Sequence, residues 1–161
     1  MDPSGDDLAG VVDLFGALTR EELGNAFTEL AFKQGEEVEP DSFSAEIDAA
    51  IEEYQLLRLD AETVGVNTGK PVLVVGPSAF PAVPEAGEDL RHILDIEERN
   101  VEREVAGEAA AQRLRSEVDA LLDADQDDHD AVESLIDVSY DIEAWAPVDL
   151  TGVRSQLDSS E

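Results

Sequence analysis

Leu8, Val11, Val12 and Phe15 recur at i, i+3, i+4 and i+7, so one apolar stripe runs along a first helix that starts after Ser4 or Asp6 and closes at Gly16. A second helix has a sharper start. Thr19 as N-cap and Glu22 three residues later form a capping box, and Leu18 and Leu23 are spaced as a hydrophobic staple. Leu23, Ala26, Phe27, Leu30 and Ala31 carry its stripe to a stop at Gly35. After a polar connection ending at Pro40, a third helix opens near Asp41 to Ser44. It buries Ile47, Ala50, Ile51 and Tyr54 and turns Asp48, Glu52 and Glu53 outward.

From Leu56 to Leu59 the pattern shifts to a short apolar strand. Two β-prone runs, Thr63 to Val66 and Pro71 to Val75, flank Asn67-Thr68-Gly69-Lys70, where Asn and Gly suit the positive φ of a hairpin turn. Three helices, a short strand and a hairpin resemble a winged helix-turn-helix domain. Pro77, Pro81 and Pro84 then punctuate an extended linker around Phe80, followed by an apolar segment (Leu90, Ile93, Leu94, Ile96) expected to pack back on the first half.

Asn100 is placed to cap a long helix with Val101, Val105, Ala109, Leu114, Val118, Leu121 and Leu122 as its apolar positions and Arg99, Arg103, Arg113 and Arg115 among its charges. Beyond an acidic loop, Val132, Leu135 and Ile136 mark a last helix. Tyr140, Ile142, Trp145, Pro147 and Val148 read as an extended, partly aromatic tail. The fold class is therefore mainly α with a small β-hairpin (α+β). Residues 1–80 form a winged-helix-like domain, 81–154 a helical extension packed on it as one compact unit, and 155–161 a fraying tail.

Charge changes this picture more than length does. Forty acidic against ten basic residues give a formal charge of -30, yet the 42% hydrophobic content is periodic in a way disorder does not require. Only Lys33 and Lys70 are lysines, and cysteine is absent. That balance resembles proteins of salt-accumulating haloarchaea, where a Debye length of about 3 Å at 1 M salt weakens carboxylate repulsion. No apolar run approaches a membrane span and the start lacks a basic, then apolar, leader. The expectation is a cytoplasmic protein with no membrane partner.

Candidate chemistry is thin. No basic residue occurs from Gln34 to Leu57, where phosphate contacts would be needed, so DNA binding is disfavoured. Arg20, Lys33, Arg58 and Lys70 remain a sparse phosphate-contacting set, better read as internal salt-bridge partners. Gly65 to Pro71 lacks the P-loop's first glycine, at Val64, and its metal-binding hydroxyl, at Pro71, so it is a wing turn. Asp123, Asp125 and Asp127 alternate like a calcium loop, but Asp128 and Ser134 stand where Gly and Glu are required.

His92, among apolar neighbours, is expected to be partly buried, and His129 solvated near a helix start. Neither belongs to a ligand pair. No catalytic, cofactor-binding or metal residues are assigned, no cofactor is expected, and no enzymatic role has a nucleophile to carry it. Asp48, Glu52, Glu53, Asn67, Lys70 and Trp145 are the candidate interaction residues, with an unknown protein as the favoured partner. Trp145 is otherwise read as pinning the C-terminal tail.

Residues 18–23 (LTREEL), 75–81 (VGPSAFP) and 139–150 (SYDIEAWAPVDL) resemble an uncharacterised family of small acidic haloarchaeal proteins. That resemblance implies a halophilic cytoplasmic origin and no transferable activity.

Overall fold

In the computed structural model, residues 2–124 and 128–159 are described. They divide into two compact units, Met1–Glu102 and Arg103–Glu161. Residues 81–102 thus fold with the first unit, past the boundary expected at residue 80. The chain is mainly helical with one small antiparallel sheet, an α+β fold.

In the first unit, Ser4 caps helix α1 (Gly5–Phe15). Its Oγ accepts the Asp7 N–H and the Asp7 carboxylate accepts the Ser4 N–H, both at 3.1 Å, satisfying two donors that the first turn leaves open. Leu8, Val11, Val12 and Phe15 are buried as the stripe predicts, and Gly16 ends the helix at φ 86. Leu18–Thr19 forms strand β1, and Thr19 then caps α2 (Arg20–Lys33). The expected capping box is present, with Glu22 N–H to Thr19 Oγ1 at 3.1 Å and Thr19 N–H to Glu22 Oε1 at 2.8 Å. Leu18 and Leu23 are both fully buried in the same core.

A 3₁₀ turn at Pro40–Phe43 leads into α3 (Ser44–Glu52), which buries Ile47 and Ala50. Tyr54 lies beyond the helix at φ 61, held there with its side chain buried. Strands β2 (Leu56–Leu59) and β3 (Val72–Val75) follow, and the sheet order is β1-β3-β2, all antiparallel. Two corrections arise here.

Thr63 to Val66 is not a strand. Three of its four N–H groups are used in local turns, Thr63 to Asp60 O at 3.1 Å, Gly65 to Glu62 O at 3.3 Å and Val66 to Ala61 O at 2.9 Å, which breaks any ladder. The second partner of β3 is instead β1, through Leu18↔Leu73 and Thr19↔Val72, two residues too few to show any alternation. In the loop, Gly69 has φ 67 and Asn67 does not take a positive φ. Thr68 Oγ1 closes the turn by accepting the Lys70 N–H at 3.3 Å.

The Pro-punctuated segment docks on the start of α1: the Phe80 and Ala82 N–H groups donate to the Asp6 carboxylate and carbonyl, at 3.0 and 3.1 Å. Leu90, in the short helix α4 (Leu90–Ile93), is fully buried in the core, with Leu94 and Ile96 packed against it and Ile93 exposed. His92 is exposed, not partly buried, because Leu90 alone of that turn points inward.

The second unit holds α5 (Arg103–Asp123), α6 (His129–Trp145) and α7 (Thr151–Ser159). Asn100 and Val101 precede α5. Its buried face is Ala106, Gly107, Ala110, Ala111, Leu114 and Val118. Leu114 and Val118 are buried as expected, whereas Val105 and Ala109 are half-buried and the first half of the face is set by small residues, where Gly107 lets Ala146 approach as a Cβ would not allow.

Tyr140, Ile142 and Trp145 belong to α6, not to an extended tail. Extended backbone begins at Ala146, the residue before Pro147, where proline disfavours the helical conformation. The tail expected to fray is helical over 155–159, anchored by Val153 and Leu157. Arg154 ties α7 to α6, with Nη1 2.9 Å from Glu143 Oε1, a bond to Ser139 Oγ at 3.0 Å, and its guanidinium 4.2 Å from the Tyr140 ring. Trp145 is packed from α5, where the Arg103 guanidinium lies 4.6 Å over its ring and donates to its carbonyl at 3.0 Å.

Candidate functional site

In the first unit a cleft of about 580 Å³ lies between the start of α2, the start of α3 and the open end of the sheet. Its apolar lining is Pro40, Ile47, Pro71 and Leu73, with Arg20, Arg58 and Lys70 at its rim. Sequence places these residues far apart, and three local rules bring them together. The Thr19 cap fixes where α2 begins, so Arg20 is its first residue. The Pro40 turn fixes where α3 begins, presenting Ser44. The β2–β3 register sets Arg58 directly opposite Leu73.

Most cations of this unit are neutralised internally. Arg20 Nη2 lies 2.6 Å from Asp48 Oδ1, Lys70 Nζ 3.3 Å from Glu21 Oε2, and Lys33 Nζ 3.0 Å from Asp89 Oδ2. Arg58 differs: it is exposed and makes no ion pair or hydrogen bond with any described residue.

The candidate interaction residues do not form one surface. Asp48 and Lys70 belong to the edge of this cleft through their ion pairs, while Glu52 and Glu53 are exposed at the end of α3. Asn67 lines a different concavity, about 530 Å³, with Asp95 to Asn100. Trp145 belongs to the other unit. The cleft's apolar lining and the distinct position of Arg58 were not separable in the sequence. The available signal was one arginine interrupting the apolar run Leu56-Leu57-Arg58-Leu59.

Thr19, at the cleft's edge, is stiffened by a second element. Arg99 clasps Glu22 with both nitrogens, Nη1 to Oε1 at 2.6 Å and Nη2 to Oε2 at 3.0 Å, and donates to Ala17 O at 3.1 Å. Burial alone would raise the Glu22 pKa, but the Arg99 hydrogen bonds, the Thr19 N–H and the Arg99 charge outweigh it and hold it below the ordinary glutamate range. A carboxylate whose pKa is lowered by folding adds stability above its unfolded value, about 4.3, and loses it as pH falls through the folded value. Urea midpoints measured from pH 7 to 3 should therefore fall more steeply for wild type than for Glu22→Gln. At neutral pH Thr19→Ala should cost about 1 kcal/mol.

Among the described residues, no group of three His, Asp or Glu is placed to hold a metal ion. Asp125 and Asp127 of the calcium-like pattern lie outside them, Asp123 ends α5, and Asp128 caps α6 by accepting the Ala131 N–H at 3.1 Å. No helix among them is long and apolar enough to cross a membrane.

No curated protein and no solved structure matches the chain. A family profile does, over residues 6–161. The chain belongs to DUF7109, a family of unknown function.

Proposed function

We propose that the first unit is a winged-helix module that works through protein contacts, without catalysis, in the cytoplasm of a salt-accumulating archaeon. The order α1-β1-α2-α3-β2-β3 with a β1-β3-β2 sheet supports the winged-helix reading. The observation that carries the functional part is the exposed side of α3, which presents Asp48, Glu52 and Glu53 and no lysine or arginine. A helix entering a DNA groove needs the opposite charge.

The second reading, a DNA-binding regulator, draws on Arg20, Arg58 and Lys70 at one cleft. Asp48 and Glu21 already neutralise two of those three. A direct test combines fluorescence anisotropy on a random 30-bp duplex, from 0.1 to 2 M KCl, with affinity capture in molar salt. The expected result is no duplex binding at micromolar protein, and a captured partner that is lost with Glu52→Lys/Glu53→Lys. Duplex binding that weakens with salt, or capture indifferent to the charge reversal, overturns the reading.

A further inference from the structure

We infer that the cleft between α2, α3 and the sheet is a binding site for a small organic carboxylate with a short apolar chain, anchored by Arg58. The inference goes beyond the protein-contact reading and does not depend on it.

Size is the first ground. About 580 Å³ falls within the range of small-molecule pockets, which combine an apolar lining with a few polar groups that set orientation. Here Ile47 and Leu73 are almost fully buried beneath, and Pro40 and Pro71 form apolar walls. Such a surface accepts an alkyl chain.

Charge is the second ground. Of the three cations that line the cleft, Arg58 alone has no acidic partner among the described residues. Paired residues on adjacent antiparallel strands point to the same side of a sheet. Arg58 opposite Leu73, which in turn pairs with Leu18, therefore projects on the side that faces the core, at the sheet's edge. Its planar fork matches a carboxylate in two parallel hydrogen bonds. Arg20 and Lys70 are already paired with Asp48 and Glu21, and Asp41 also lines the cleft, so Arg58 is the one lining cation left to meet an anion. That favours a monoanion over a phosphate dianion.

An inward charge on an edge strand also deters pairing with another sheet, and β2 is such an edge. The two roles separate on charge reversal. Arg58→Glu keeps a charged edge but repels the ligand, whereas Arg58→Gln removes the charge.

The test is a titration of the ¹⁵N-labelled full chain with sodium hexanoate at constant ionic strength, followed at the amides of Ile47, Arg58 and Leu73 and at Arg58 Nε. Unchanged spectra elsewhere establish that each variant is folded. Saturable shifts complete at about 10 mM are expected, with apparent Kd raised at least tenfold in both Arg58→Gln and Arg58→Glu. A tenfold change is the size of one good charge-assisted contact. Arg115→Gln, which removes an exposed arginine of α5, should leave the Kd unchanged. The proposal is overturned by linear shifts that are the same in the Arg58 variants, or by equal shifts with hexanol or added chloride. It is also overturned if inorganic phosphate or a short acidic peptide occupies the cleft and hexanoate does not.

Discussion

Replacing Gly16 by alanine is expected to be the most damaging single-methyl change in the first unit, lowering its stability by about 3 kcal/mol and its midpoint by roughly 10–20 °C. Two independent penalties add. Gly16 sits at φ 86, where an L side chain is strained, by about 1–2 kcal/mol for left-handed backbone. A Cβ there would also overlap the carbonyl oxygen of Arg99.

That carbonyl cannot simply retreat. Its own residue is held on both sides of the glycine, by Arg99 N–H to Phe15 O at 2.7 Å and by its guanidinium to Ala17 O at 3.1 Å. Relief of the overlap would thus strain the Arg99–Glu22 clasp and, through Glu22, the start of α2. Thermal and urea denaturation should be compared with Gly152→Ala, at a helical position where a Cβ meets nothing within 4 Å. The control should be neutral or slightly stabilising, as alanine is in helices. Equal midpoints for Gly16→Ala and wild type would show that the 97–102 segment is not held against α1.

Phe27→Ala should cost about 3–5 kcal/mol, the usual range for removing a buried aromatic ring. Phe27 is 1% exposed and its ring centroid lies 5.6 Å from that of Phe43, tilted by 51°. The pair joins α2 to the turn that introduces α3, so the cavity would open where the two helices meet. Phe32, on the same helix five positions later, is 68% exposed. Phe32→Ala should change stability by no more than about 0.5 kcal/mol. Chemical denaturation of the two variants side by side checks the contrast, and comparable losses would refute the packing given for α2.

These expectations differ in how far they could be read from the sequence. Phe27 was legible because 3.6-residue periodicity distinguishes it from Phe32 without any structure. The Gly16 stop was equally legible, since helices end on a residue that tolerates positive φ. Its sensitivity was not, because the obstructing atom belongs to Arg99, far along the chain. Thr19 shows the same division: the capping box with Glu22 is local and legible, while its reinforcement by Arg99 is not.

Errors fell where the tertiary structure overrules local preference. Val64 and Val66 favour strands, yet β3 pairs with Leu18 and Thr19, and the valine-bearing loop spends the Thr63, Gly65 and Val66 N–H groups on turns. Proline was informative in an unexpected place: Pro147 stops α6 only after Trp145, so the aromatic residues stay helical. Arg58 was seen as one of several scattered cations. Only the β-register and the ion pairs of its neighbours single it out.

The sequence by itself determined the first three helices and their main buried residues, the cap of α2, the α+β class and the acidic character of α3, because each depends on residues a few positions apart. The tertiary structure decided the strand partners, the length of α6, the existence of α7 and the composition of the cleft. These depend on which distant segments occupy the same space, and on whether an acidic partner lies within reach of each arginine, neither of which periodicity or composition encodes.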